Sequence, residues 1–296
     1  MEIKEFSSSI AREVEGILGE EYKIECTDVL KNNGKVHHGL TIRKEGYLVA
    51  PTIYVDEMYE TFLKGASLKN LALDTVKIYE NSRPGEDFDP RFINDFSAVS
   101  ESLFFKVVNY TKNKAKLENV PIRRLLDLAM VPLCRVKNIG FGEGSVTITN
   151  NFLKIWEVSE DELWENIGEH APIVEPCKKY DLYEFMEHLT GHRFDYWNTP
   201  TIYVVSNNDG LYGAGAAFYP GVLKEIAEEV KSDLYLIPSS VHETIVFPVS
   251  IEEIEPENVK MMIQEVNANV LEVEDVLSDS LYIYYRDSDR VNVVKK

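Results

Sequence analysis

Short strand-forming runs joined by tight turns constrain the fold of this chain more than any other feature. The runs "YKIECTDVL" and "KVHHGLTIRK" flank Asn32-Asn33-Gly34, residues that tolerate the positive φ of a hairpin turn. A second hairpin is predicted at Asn207-Asn208-Asp209-Gly210, between "PTIYVVS" and "LYGAGAAFY". Strands joined by hairpins pair antiparallel. With helices interspersed, the sequence predicts an α+β fold with a mixed or antiparallel sheet rather than a doubly wound one.

Amphipathic helices separate these strands. The first helix is predicted from apolar residues at spacings of three and four: Ile3, Phe6, Ile10, Val14 and Ile17. Ser67 is placed to cap a helix over "LKNLALDTVKIYEN", and Ser159 with Glu162 forms a capping box before another. Near the end of the chain, "GVLKEIAEEV" and "PENVKMMIQEVNANVL" predict two helices, and "DLYLIP" and "ETIVFPV" predict two strands.

A break in the pattern divides the chain. The segment "NSRPGEDFDPRF" contains two prolines, a glycine and clustered charges, which favour a linker or a long loop. We therefore expect an N-terminal α+β lobe over residues 1–90 and a larger C-terminal α+β domain over residues 91–296.

The charge balance excludes some classes of partner. Fifty acidic residues face 31 basic ones, which gives a formal net charge of −19. Direct binding to a nucleic-acid backbone needs clustered Lys and Arg, and an anionic membrane surface needs the same. We therefore expect neither a nucleic acid nor a membrane as partner. A basic protein partner would be attracted over a distance.

The acidity is concentrated near the C-terminus. Between Gly221 and Ser280 there are 14 Asp and Glu but three Lys and Arg. Glu225, Glu228 and Glu229 are three and four residues apart, so they share the outer side of the predicted helix. They are the candidate binding residues for a basic partner. The alternative is that these carboxylates only keep the protein in solution.

Cysteine usage and the absence of targeting signals predict a cytoplasmic location. Cys26, Cys134 and Cys177 form no C-x-x-C pair and are too few for a disulfide framework. The N-terminal segment lacks the basic and apolar regions of a signal peptide, and no apolar run approaches the length of a membrane span.

The stretch "IPSSVHETIVFP" carries the candidate catalytic residues. Ser239, Ser240, His242 and Glu243 supply a hydroxyl, an imidazole and a carboxylate, the groups of nucleophilic catalysis. Triad partners normally come from distant segments, and no G-x-S-x-G elbow exposes either serine. The alternative interpretation is a structural turn between two strands, in which His242 is satisfied by hydrogen bonds.

We predict no metal site and no cofactor. His37 and His38 are adjacent on a predicted strand, so their side chains should face opposite sides. His188 and His192 have helical spacing, but Gly191 lies between them and the glutamate of H-E-x-x-H is missing. The glycines of "GFGEG" lack the spacing of a dinucleotide-binding loop.

Several stretches together resemble a bacterial family of unknown function from anaerobic gut Firmicutes. They include "KNNGKVHHGLTI", "APTIYVDEMYETF", "LLDLAMV", "GAGAAFYPGVLKEIAEEVKSDLYLIPSSVHETIVFP" and "VLSDSLYIYY". Where the family pattern has Pro-His before the "LDLA" element, this chain has Pro121-Ile122. The resemblance implies a shared organisation and assigns no activity.

Two functions are consistent with the sequence. The leading hypothesis is a non-enzymatic cytoplasmic binding or regulatory protein with an acidic interaction surface, because no catalytic or cofactor motif is complete. The alternative is a hydrolase-type enzyme that uses the Pro-Ser-Ser-Val-His-Glu turn.

Overall fold

Two compact units make up the chain. The computed structural model describes residues 1–83, 88–136, 144–192, 201–251 and 255–295. Internal contacts define one unit as Met1–Ile93 with Val136–Ser145, and a second as Asn94–Arg135 with Val146–Lys296. The two-domain division with a boundary near residue 90 stays a prediction, and residues 84–87 of the predicted linker lie outside the described residues.

The first unit packs three helices against a three-stranded sheet. Its elements are α1 (Ile3–Leu18), β1 (Tyr22–Leu30), β2 (Val36–Lys44), β3 (Thr52–Tyr54), α2 (Asp56–Leu63) and α3 (Leu68–Ser82). The strand order is β1-β2-β3, and both strand pairs are antiparallel. The apolar face of α1 supplies Phe6, Ile10 and Val14 to a buried core that also contains Leu40 and Ile42 of β2.

The predicted hairpin between β1 and β2 is confirmed. Leu30 pairs with Val36, and residues 32–34 form the turn between them. Asn33 and Gly34 have φ of 55° and 79°, the left-handed conformation for which Asn and Gly are suited. The Ser67 cap of α3 is also confirmed, because its hydroxyl accepts a hydrogen bond from the Asn70 N–H at 3.2 Å.

The rest of the chain alternates further strands with helices. In chain order these are α4 (Phe96–Val99), β4 (Leu103–Asn109), α5 (Tyr110–Asn113), β5 (Arg123–Leu125), β6 (Leu128–Val136), β7 (Gly144–Thr147), α6 (Asn150–Trp156), α7 (Glu160–Val174), β8 (Cys177–Asp181), α8 (Leu182–Thr190), β9 (Tyr203–Asn207), α9 (Val222–Val230), β10 (Leu234–Ile237), β11 (Thr244–Pro248), α10 (Pro256–Asn269), β12 (Tyr282–Tyr285) and β13 (Arg290–Val293). The predicted capping box of Ser159 and Glu162 opens α7.

Two sheets organise these strands. A six-stranded sheet has the order β13-β12-β10-β11-β9-β8, and its strand pairs are antiparallel. A four-stranded sheet has β4-β6-β5 with β7 beside β6. The predicted α+β class with antiparallel sheets and flanking helices is therefore confirmed. No helix in the described ranges is long and apolar enough to cross a bilayer.

The predicted hairpin at residues 207–210 is wrong. Strand β9 ends at Asn207, and its antiparallel neighbours are β8 and β11. The run "GAGAAF" forms a buried 3₁₀-helix, Gly213–Phe218, instead of a strand. Side chains this small allow the backbone to pack closely: a Cβ atom on Gly213 would lie 2.3 Å from Ser206 Oγ and 2.8 Å from the His242 carbonyl oxygen.

We expect Gly213→Ala to lower the free energy of unfolding by about 1–3 kcal/mol, because the added methyl group overpacks this contact. Gly168→Ala is the matched control, since a Cβ on Gly168 in α7 meets no atom within 4 Å. It should raise stability by about 0.5–1 kcal/mol. Urea unfolding followed by tryptophan fluorescence measures both, because Trp156 and Trp164 belong to the second unit. A Gly213→Ala protein as stable as the wild type would contradict the close approach.

Candidate functional site

The turn between β10 and β11 holds the predicted catalytic residues, and a second segment pairs with it. Residues 275–278 lie antiparallel to residues 238–241, with an isolated bridge between Ser240 and Val276. Three backbone N–H groups donate across this pairing: Leu277 to Ser239 O at 2.7 Å, Ser278 to Pro238 O at 3.0 Å and Val241 to Asp275 O at 2.8 Å. These backbone hydrogen bonds hold the turn in place in the same way that pairing holds a strand in a sheet.

The hydroxyl group of Ser240 takes part in the hydrogen bonding of this turn. Its side chain is buried, and its hydroxyl oxygen accepts a hydrogen bond from the His242 backbone N–H at 3.0 Å. The same hydroxyl lies close enough to the Glu243 carboxyl group to lower its pKa. Ser239 lies half-buried beside it and accepts the Leu277 N–H through its carbonyl group.

Both ring nitrogens of His242 have partners. Nε2 lies 3.1 Å from Asp275 Oδ1, and Nδ1 accepts the Tyr212 backbone N–H at 3.3 Å. This network assigns the imidazole proton to Nε2. The structure thus brings Ser239, Ser240 and His242 into one turn, while the hydrogen bonds of the ring join it to Asp275 and Tyr212.

Glu243 is half-buried next to these groups. Burial raises the pKa of its carboxyl group, and the neighbouring Ser240 and His242 offset only part of that rise. Asp275 raises the pKa further through charge repulsion. His242 and Glu243 both precede β11, which begins at Thr244.

Sequence reasoning missed Tyr212, which covers the histidine, and Lys106, which lies over the Tyr212 ring. The Tyr212 ring stacks on His242 with centroids 5.7 Å apart, and Lys106 Nζ lies 4.3 Å from the Tyr212 ring centroid. Tyr212 has a φ of 54°, which is uncommon for a residue other than glycine. One signal was present: Lys106 is a lone cation in a strand whose other positions are buried.

Asp127 was also missed, and it connects the paired segment to the four-stranded sheet. Its Oδ2 accepts the Ser278 hydroxyl at 2.7 Å, and its Oδ1 accepts the Tyr282 hydroxyl at 2.5 Å. Asn109 adds a second connection by donating from Nδ2 to Leu277 O at 3.0 Å. The sequence signal was a carboxylate in the apolar run "LLDLAMV".

The structure gives different environments to the three predicted binding carboxylates. Glu225, Glu228 and Glu229 are exposed on α9. Lys179 Nζ on β8 lies 2.5 Å from Glu229 Oε2 and 3.6 Å from Glu225 Oε1. Glu229 also accepts the Tyr203 hydroxyl at 2.5 Å, and the hydrogen bonds from Lys179 and Tyr203 lower its pKa. Glu229 is therefore part of the fold's own bonding.

Further carboxylates continue the acidic face. Burial raises the pKa of Tyr284 to about 12, together with its hydrogen bond to Asp289 and the charges of Asp289, Glu228 and Asp233. Asp289 is in direct contact with this hydroxyl group, because its Oδ1 accepts the Tyr284 O–H at 2.8 Å. Glu252 and Glu253, which belong to the acidic stretch between Gly221 and Ser280, lie outside the described residues.

The histidines of the first unit form a carboxylate-bound pair. His38 Nδ1 lies 3.0 Å from Asp56 Oδ1, and His37 Nδ1 lies 3.5 Å from Asp56 Oδ2. Both rings contact the same carboxylate because Asp56 binds the His38 backbone N–H at 3.0 Å and is reachable from both faces of the strand there. That the two side chains face opposite sides stays a prediction. Burial alone would raise the pKa of Asp56, but the His38 hydrogen bonds outweigh burial and lower it.

No group of three or more His, Cys, Asp or Glu that could hold a metal ion occurs within the described ranges. The glycines at 140 and 142 lie outside those ranges. His188 lies within them, but its side chain is not described.

Comparison with known proteins identifies the family. The description "Family of unknown function (DUF5688)" matches residues 3–286. The chain belongs to this family. No curated protein and no solved structure matches it. The predicted membership of a family of unknown function is confirmed, while the bacterial source in the gut stays a prediction.

Glu243→Gln tests the electrostatics of the turn. Because the carboxyl pKa is raised in the folded state, folding favours the protonated form. Its stabilising contribution is complete below the unfolded pKa of about 4.3 and is lost as the pH rises through the folded value. Glutamine mimics the protonated acid in shape and carries no charge. We expect a higher Tm than the wild type at about pH 7.5, with a smaller gain at about pH 5.

Glu165→Gln on the exposed face of α7 is the control for this measurement, and it should show no gain that depends on pH. Equal Tm values for wild type and Glu243→Gln at both pH values would contradict the effect of burial.

Proposed function

We propose that this chain is a non-enzymatic cytoplasmic binding protein that captures a basic protein partner. The contact is the acidic surface, defined as Glu225, Glu228, Asp233 and Asp289. The observation that carries the proposal is that Glu225 and Glu228 are exposed on one face of α9 and that Asp289, also exposed, accepts the Tyr284 hydroxyl at 2.8 Å. Three free cysteines support a reducing compartment.

The net charge of the chain and the local charge of the acidic surface both support a basic partner. The net charge of −19 attracts a cation from a distance, and the acidic surface gives it a place to dock. Lys224 and Arg290 line a cleft next to Asp289, so a basic border limits the acidic surface on that side. A partner with the matching pattern of charges would be held in one orientation.

Internal pairing decides which carboxylates are available to a partner. Lys179 and Tyr203 occupy Glu229, so reversing the charge of Glu229 would place a lysine beside Lys179 and disturb the fold. Glu228 has no ion pair among the described residues, and Glu225 has only the long contact to Lys179. Glu225 and Glu228 are therefore the positions to change.

We expect Glu225→Lys with Glu228→Lys to weaken partner capture while the fold is kept. The measurement is a pull-down from extract of the native host, quantified by mass spectrometry. The wild type should enrich one basic protein, and the double variant should lose it. With the purified pair, the association rate should fall at least about tenfold from low salt to about 0.5 M salt.

Glu165→Lys with Glu169→Lys is the matched control, because both residues are exposed on α7 and the change in charge is the same. Equal loss of the partner in both double variants would mean that net charge alone matters. If neither double variant loses the partner, the proposed role of the acidic surface is contradicted.

A second proposal is a hydrolase that uses the turn at residues 238–243, and it rests on the His242–Asp275 pair. A histidine oriented by a carboxylate is the usual arrangement of a general base. For this histidine to act on a hydroxyl, Nδ1 would have to exchange its bond to Tyr212 for one to a serine or a water.

Turnover of a panel of ester and amide substrates tests this second proposal. If the wild type is active, His242→Ala should lower kcat by about 10²–10⁴-fold. His170→Gln on α7 is the control histidine and should leave the rate unchanged. Absence of turnover in the wild type, or an unchanged rate in His242→Ala, would reject the enzyme.

A further inference from the structure

The contact between Tyr212 and His242 depends on the protonation of the imidazole ring. Nδ1 of the ring accepts the Tyr212 backbone N–H at 3.3 Å, while Nε2 lies 3.1 Å from Asp275 Oδ1. A neutral imidazole has one donor and one acceptor nitrogen, so it satisfies both partners at once. An imidazolium has two donor nitrogens, so it keeps the bond to Asp275 but does not accept the Tyr212 N–H. One proton therefore decides whether the hydrogen bond to Tyr212 exists.

Two carboxyl groups and one ammonium group surround the ring. Asp275 touches Nε2, and Glu243 lies close enough for the charge of His242 to act on its carboxyl group. Lys106 Nζ lies 4.3 Å from the centroid of the Tyr212 ring, which itself stacks on the imidazole. Asp275 is the charge in direct contact, and it stabilises the imidazolium. Protonation is thus favoured on the side of the ring that faces away from the Tyr212 N–H.

Tyr212 is held in a backbone conformation that suits glycine better than tyrosine. Its φ and ψ are 54° and 27°, in the left-handed region, where a side chain is crowded by the backbone. Residues 208–212 are all exposed, so no packed core keeps this conformation in place. A change at Tyr212 is therefore favoured once the hydrogen bond to His242 is lost.

Fixed points on both sides confine such a change to the neighbourhood of Tyr212. On one side, Asn207 Nδ2 donates to Leu211 O at 2.8 Å. On the other side, the Ala214 N–H donates to Val241 O at 3.2 Å. Neither hydrogen bond involves the imidazole ring, so both persist when the ring gains a proton. The rearrangement is therefore local and leaves the strands of the six-stranded sheet in place.

We propose that His242 is a pH-sensitive switch that holds the Tyr212 backbone when its ring is neutral and releases it when its ring is protonated. Histidine side chains change charge between about pH 5 and 8, so the switch works near neutral pH. Release changes the surface formed by Leu211 and Tyr212, whose side chains are 61% and 45% exposed. The proposal depends neither on the acidic surface nor on turnover, because its readout is a backbone amide.

Hydrogen exchange of the Tyr212 amide, followed by NMR on the ¹⁵N-labelled full chain, tests the proposal. We expect its protection factor, corrected for the intrinsic effect of pH on exchange, to fall at least about tenfold from about pH 7.5 to about pH 5.5. The reason is that the N–H loses its acceptor. The Val241 amide donates to Asp275 O at 2.8 Å, so it is the internal control and should keep its protection.

Three variants separate His242 from its neighbours. His242→Asn should protect the Tyr212 amide equally at both pH values, because the Asn Oδ1 takes the place of Nδ1 and does not titrate. Glu243→Gln removes another carboxyl group near the ring, and the transition should persist in it. Asp275→Asn removes the charge that stabilises the imidazolium, so the midpoint of release should move to lower pH by about one unit.

His170→Gln is the matched control, because the His170 ring bonds to Asn166 O on α7, and its transition should equal that of the wild type. Circular dichroism at both pH values confirms that each protein is folded. Equal protection of Tyr212 in the wild type at both pH values, a wild-type transition in His242→Asn, or loss of the transition in Glu243→Gln would each overturn the proposal. If His242→Asn does not fold, Asp275→Asn still decides, since an unmoved midpoint there would also overturn it.

Discussion

The pairing of residues 275–278 with residues 238–241 is the contact on which most of the polar architecture of the second unit depends. It places Asp275 within reach of the His242 ring and Ser278 within reach of Asp127. These are bonds between segments far apart in the chain, so each adds a long-range constraint that short loops cannot supply. Loss of the backbone pairing would release the turn and the contact of Ser278 with Asp127 together.

The local part of this fold could be predicted from the sequence. Hairpin residues, helix caps and apolar periodicity are properties of neighbouring residues, which is why the turn at Asn33-Gly34, the Ser67 cap and the strands β10 and β11 were found. The hairpin at residues 207–210 failed because turn-forming residues also occur where a strand leads into a helix. Gly213 instead packs closely against Ser206 of β9 and the His242 carbonyl oxygen, contacts that the local pattern does not report.

The candidate site was only half predictable for a related reason. The turn residues stood together in the sequence, but Tyr212, Asp275 and Lys106 come from three other segments. The charges of α9 were found by helical spacing, whereas the pairing of Glu229 with Lys179 required knowledge of which strand lies beside the helix. Periodicity indicates which face of a helix or strand is exposed. It does not indicate which residues of other elements pack against it.

The three thiols of the chain have unequal chemistry as a result of their burial. Burial raises the pKa of Cys134 and of Cys177 to about 11, so both remain protonated at neutral pH, whereas Cys26 on β1 is exposed. A maleimide dye should therefore attach at one position under mild conditions. Because Cys26 belongs to the first unit, the native sequence already offers a site-specific fluorescent reporter, with none of the proposed binding residues on the unit that carries the dye.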